Sequence, residues 1–206
     1  MRVRMMLCSI ILGLVMLAPL HELRSESGWR IPADAPLLTP WSAKVDPRKP
    51  LPEYPRPAMT RKEWMNLNGM WGYDLPATLD TPPFGKELAS RILVPFPIES
   101  ALSGVMKRTE RIWYRRTFVV PAAWKGKRVL LHFGAVDWES VVFVNGTRVG
   151  THRGGYDPFS FDITDALVPK GEQELVVGVF DPSDAGDQPR GKQVRQPGGI
   201  WYTPCT

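Results

Sequence analysis

The 206 residues carry 26 Lys and Arg against 21 Asp and Glu, and the formal charge of +5 is scattered rather than gathered into a run. That distribution argues against a nucleic-acid or anionic-membrane footprint. Two cysteines and three histidines leave no spacing suited to a metal site, and without Walker or dinucleotide glycine patterns no cofactor is expected.

Arg2 and Arg4 precede an apolar run from Met5 to Leu20, followed by the polar stretch 21–27. This order reads as a secretory signal peptide over residues 1–27, with the mature chain secreted or periplasmic and free of the membrane after cleavage. The run is short for a membrane span, which needs about 20 residues. Loss of residues 1–25 removes three arginines and one glutamate, lowering the formal charge to +3. It also removes Cys8, so Cys205 stands alone and the fold rests on its core rather than on a disulfide.

Residues 28–60 hold Pro47, Pro50, Pro52, Pro55 and Pro57 without hydrophobic periodicity. Proline fixes φ and removes a donor, so this is an extended arm, with Trp41 and Tyr54 as expected anchors. From residue 61 the character changes. Met70 to Leu75 is read as the first strand, residues 76–90 as turn-rich, and Ile92 to Val94 as a short strand ended by Pro95 and Pro97. Ile112 to Val120 alternates with period two, placing Ile112, Tyr114, Phe118 and Val120 on one face. Arg116 interrupts that face and is expected near an edge or against a carboxylate. Pro121 to Trp124 is a turn, and Lys127 to Phe133 is the next strand.

Val141 to Val144 and Thr147 to Thr151 flank Asn145-Gly146, the dipeptide best suited to a type I′ turn, and form a hairpin. Gly154-Gly155 permits a sharp change of direction before Tyr156 to Phe159. Ser160 to Ile163 is a short strand, Thr164 or Asp165 is expected to cap a single helical turn, and Glu174 to Phe180 is a further strand. Residues 181–199 form a long polar loop. No segment shows helical periodicity over ten residues, so the expected fold is one all-β sandwich over residues 61–206.

Several fragments now carry a pattern in order: Trp64-Met65-Asn66-Leu67-Asn68-Gly69-Met70-Trp71; Val94-Pro95-Phe96-Pro97-Ile98-Glu99-Ser100; Trp113 to Phe118; Phe143-Val144-Asn145-Gly146; and Gly154-Gly155-Tyr156-Asp157-Pro158-Phe159 through Thr164. Together they resemble the N-terminal sugar-binding domain of glycoside hydrolase family 2, which includes β-galactosidases, β-glucuronidases and β-mannosidases. The resemblance implies a jelly-roll β-sandwich of the galactose-binding-like type. In the family it is followed by an immunoglobulin-like sandwich and a (β/α)8 barrel holding two catalytic glutamates. Here the sequence stops shortly after Gly198 to Pro204, so the sandwich is expected to lack its last strand.

Retaining glycoside hydrolysis needs two carboxyl groups about 5 to 5.5 Å apart. The resemblance implies an acid/base glutamate preceded by asparagine. Asn66, Asn68 and Asn145 are the only asparagines, and none precedes a glutamate. No catalytic residue is therefore expected, and Glu63, Glu99, Glu110 and Glu139 are read as solvated or structural. Sugars present apolar ring faces and many hydroxyls, so their sites join aromatic platforms to charged or amide groups. Trp138, His152, Tyr156, Arg190, Gln193 and Trp201 are the candidate sugar-binding residues, with a β-glycoside as partner. The expected role is the N-terminal sugar-binding portion of a secreted family 2 β-glycosidase whose barrel lies outside these residues. The alternative is a stand-alone carbohydrate-binding module without catalysis.

Overall fold

The computed structural model describes residues 28–53, 60–191 and 193–195. The predicted leader, Tyr54, Trp201 and Cys205 lie outside the described residues, as does the segment on which the missing last strand was argued. Eight strands follow in chain order: β1 (Gly69–Asp74), β2 (Ser90–Val94), β3 (Arg111–Phe118), β4 (Leu130–Phe133), β5 (Glu139–Val144), β6 (Thr147–Arg153), β7 (Phe159–Asp162) and β8 (Gln173–Phe180). Among the described residues the only helical pieces are short 3-10 turns. All strand pairs are antiparallel, in a six-stranded sheet ordered β2-β1-β3-β8-β5-β6 and a two-stranded sheet of β4 and β7. The expected β-sandwich is what the chain forms.

Register sets the core. Ile112 and Tyr114 of β3 stand beside Val179 and Val177 of β8, which stand beside Ser140 and Val142 of β5. This inner face, with Trp71, Ile92, Val144 and Leu175, packs against Leu131 and Ile163 from the other side. Each such apolar side chain withdrawn from water contributes roughly 1.5–3 kcal/mol.

β8 is buried on both faces. Contacts to its outer side come from segment 76–90, which the sequence presents only as turn-rich. Phe84 meets Phe143 edge-on with centroids 5.2 Å apart. The Gly85 N–H and the Arg115 Nε both donate to Glu174 Oε1, at 2.9 and 2.6 Å. Gly178 of β8 leaves room for the Trp113 ring, which a Cβ there would overlap.

Three local expectations are corrected. Arg116 belongs to an interior strand and finds no carboxylate. Its Nη1 donates to the carbonyls of Leu67 and Asn68 at 2.6 and 2.9 Å, closing the chain's entry into β1. The turn at Thr164–Ala166 is capped from Asp162, whose Oδ1 accepts from the Thr164 N–H at 3.0 Å and from its hydroxyl at 2.5 Å. In the arm, Trp41 is 69% exposed. Trp29 is the anchor instead, its indole N–H donating to Leu102 O at 3.0 Å.

Candidate functional site

One end of the six-stranded sheet gathers the candidate residues because four strands stop or start there in register. Arg111, Phe180, Glu139 and Arg153 form the last full row across β3, β8, β5 and β6. One step further the ladder continues through two backbone bonds, Asp181 N to Glu110 O at 2.9 Å and Gly154 N to Trp138 O at 2.8 Å. Glu110, Asp181, Trp138 and Gly154 therefore stand side by side at the rim, with Asp137 and Gly155 just beyond.

Asp137 is the centre of this rim. Its carboxylate occupies the space where a Cβ on Gly155 would sit, so the glycine at that corner is a packing requirement. It is hydrogen-bonded to the Gln193 side chain. Burial, and then the negative charge of Asp181, push its pKa up to about 6 against the pull of that hydrogen bond. Asp181 is also raised, by burial and by Glu110, while the Ser183 N–H bonded to its Oδ1 at 2.6 Å holds it down.

The loop after β8 is folded back over this rim. Arg195 donates to Asp184 Oδ1 at 2.6 Å and to Glu110 Oε1 at 2.8 Å. Arg108 donates to the carbonyls of Val194 and Arg195. These contacts carry Gln193 to Asp137 and bring Gly191 against Tyr156, where a Cβ would lie 3.3 Å from the phenol oxygen.

Five of the six predicted site residues thus fall at one end of the sandwich. Gln193 and Trp138 adjoin through Asp137, and Tyr156, 60% exposed, stands beside the loop. Arg190 turns to Asp184, 3.7 Å away. His152 points inward, stacked on Phe159 with centroids 4.0 Å apart. Trp201 lies outside the described residues. Sequence reading passed over Asp137 and Asp181; the signal for the first was a carboxylate set in an otherwise apolar lead-in, Ala135-Val136-Asp137-Trp138.

Chemically, the rim offers carboxylate acceptors, an amide that both donates and accepts, and aromatic surfaces, the set that holds a hydroxyl-rich ring. Among the described residues no group of three or more His, Cys, Asp and Glu side chains is arranged to hold a metal ion.

The family model described as "Glycosyl hydrolases family 2, sugar binding domain" matches residues 54–192. A β-glucuronidase of Paenibacillus borealis is 30% identical over 137 residues, covering 61% of this chain and 22% of that protein. A β-galactosidase of Thermoanaerobacter pseudethanolicus is 42% identical over 77 residues, covering 37% of this chain and 10% of that protein. Among solved structures, a Faecalibacterium prausnitzii β-glucuronidase is 30% identical with a TM-score of 0.48, covering 56% of this chain and 20% of its own. The chain spans about a fifth or less of the length of these relatives. It belongs to glycosyl hydrolase family 2, as that family's sugar-binding domain.

Proposed function

We propose that the rim around Asp137 binds a β-glycoside, and that this domain is the N-terminal sugar-binding portion of a secreted β-glycosidase acting on O-glycosyl bonds. The observation that carries the binding reading is the Asp137–Gln193 contact beside Trp138. It fixes an amide and a carboxylate, both able to bond hydroxyls, beside Trp138 at the rim of the sheet. The names of the relatives, β-glucuronidase and β-galactosidase, supply the two candidate sugar classes. Secretion is supported by Arg2, Arg4 and the apolar run after them.

Titration calorimetry with methyl β-D-galactopyranoside and methyl β-D-glucuronide tests the binding reading. Saturable heat that is lost in Gln193→Ala and Trp138→Ala is expected. Heat that survives both substitutions, or no heat with either glycoside, overturns it.

A further inference from the structure

The loop after β8 closes on itself. Asp184 and Arg195, eleven positions apart, bond twice: the Arg195 N–H donates to Asp184 Oδ2 at 3.1 Å, and its Nε donates to Asp184 Oδ1 at 2.6 Å. Arg190 brings a second cation to the same carboxylate, 3.7 Å away. Loops of this length whose ends meet are compact surface units, frequently with a function.

Charge is what holds this loop over the rim. Arg195 Nη1 also donates to Glu110 Oε1 at 2.8 Å, so a single guanidinium both closes the loop and ties it to the residue before β3. Arg108 donates to the carbonyls of Val194 and Arg195. Apolar burial adds little. Among the described residues from Asp184 to Arg195 only Gln193 is buried, and Ala185 and Pro189 are exposed. The Arg195 and Glu110 side chains remain 41% and 39% exposed. Such pairs are weak singly and are screened by salt, and a segment with few apolar contacts opens more readily than the core beneath it. Asp181, Pro182 and Ser183, just before the loop, are buried and stay with the sandwich.

The pairs act on the site through Gln193. Its N–H donates to Arg190 O at 3.1 Å, making a turn between Arg190 and Arg195, and both of those arginines are paired with Asp184. The Gln193 side chain reaches Asp137 from that turn. Releasing the arginines therefore frees the segment that presents Gln193 and separates Gly191 from Tyr156, uncovering the rim.

We propose that the loop from Asp184 to Arg195 is a flap latched by charge over the rim, with Arg195 as the latch and the positioning residue for Gln193, so that binding of an uncharged glycoside weakens as ionic strength rises. This rests on the reading that the rim binds a sugar, and names what controls that binding. An uncharged glycoside offers salt nothing to screen, so a salt-dependent affinity reports the protein's own pairs.

Two measurements test the latch between about 0.01 M and about 1 M sodium chloride, over which the screening length shrinks from roughly 30 Å to roughly 3 Å. Hydrogen exchange of the loop amides, referred to those of β8, is expected to quicken with salt. In Arg195→Gln it is expected to be fast at both concentrations, with the melting temperature unchanged. Titration calorimetry with methyl β-D-galactopyranoside, and with the uncharged methyl ester of methyl β-D-glucuronide, is expected to show affinity falling about fivefold across the range. Arg195→Gln should bind weakly and without salt dependence, and Arg195→Lys, which keeps the charge, should recover part of the affinity. Loop exchange indifferent to salt overturns the latch, as does an Arg195→Gln protein that binds like the parent; the sugar-binding reading then stands. No saturable heat from either glycoside at low or high salt removes that reading, and this control of it as well.

Discussion

Asn145 and Glu174 bond to each other twice across the β5–β8 ladder. The Asn145 N–H donates to Glu174 O at 2.9 Å, and its side-chain Oδ1 accepts from the Glu174 N–H at 2.8 Å. The turn residue thus adds one rung to the central ladder with its own amide. Its Nδ2 also donates to Ala166 O and to Gln173 Oε1, each at 2.8 Å. Asn145 has φ 50° and Gly146 φ 80°, as a type I′ turn requires.

Asn145→Asp keeps the shape and the acceptor but removes both Nδ2 donors and places a charge against two oxygens. A loss of about 2–3 kcal/mol is expected for two part-buried bonds, lowering the melting temperature by roughly 5–10 °C. Thermal denaturation of the variant checks this; an unchanged transition would show that turn conformation alone matters at this position.

At the rim, Gly155→Ala forces a methyl group into the Asp137 carboxylate. Overpacking of this kind costs about 1–3 kcal/mol. Combining it with Asp137→Ala should restore much of that loss, because the clash is between those two groups. Additive effects in the double-mutant cycle would place the cost elsewhere.

Acid stability has two opposing contributions. Asp137, with its pKa raised to about 6 from 3.8, binds its proton more tightly when folded, so its contribution to stability falls as pH rises from about 4 to 6. Asp162 is held down to about 2 by the Thr164 hydroxyl and N–H, then by Arg128. Its stabilisation is present above about 3.8 and is lost as pH falls through 2. Asp137→Asn removes the first effect. The variant should match the parent near pH 4 and exceed it above pH 6, by an upper bound of roughly 3 kcal/mol that solvent screening reduces to about 1. Urea denaturation at pH 4.5 and 7 measures the difference, and equal gains at both pH values would rule out ionisation as the cause.

What the sequence could show was whatever depends on near neighbours along the chain. Asn145-Gly146 announces its hairpin because both residues tolerate positive φ, and β3 announces itself by alternation. Partners far along the chain leave no such mark. Arg116 serves carbonyls of Leu67 and Asn68, which no charge pattern encodes, and segment 76–90 reaches Phe143 through Phe84 and Glu174 through Gly85 without any periodicity of its own. Within the site, Trp138 and Gln193 were legible as residue types suited to sugars. Asp137, which joins them, was not, since its importance comes from the returning loop rather than from its own surroundings in the chain.

The N-terminal run carries its own test. If residues 1–27 are a leader, protein recovered from the secreting host should begin within a few residues of Trp29 and lie outside the cytoplasm. Intact-mass measurement showing Met1 retained on membrane-bound protein would turn the leader into an anchor.

Catalysis by these 206 residues is the last question the carboxylates decide. Glu63, Glu99, Glu110 and Glu139 are each ion-paired, with Lys127, Arg108, Arg111 and Arg195, and Arg153 respectively. Asp137 and Asp181 do have raised pKa values, Asp137 partly from the charge of Asp181 and Asp181 partly from that of Glu110, which resembles the electrostatic pattern of an acid beside a base. Their placement argues otherwise. Asp137 lies against Gly155 and is bonded to Gln193, while Asp181 is 8% exposed and bonded to the Ser183 N–H. The chain is therefore expected not to hydrolyse nitrophenyl β-galactosides, β-glucuronides or β-mannosides above background. Turnover that survives removal of host enzymes and disappears in Asp137→Asn or Asp181→Asn would make that pair catalytic and overturn the expectation.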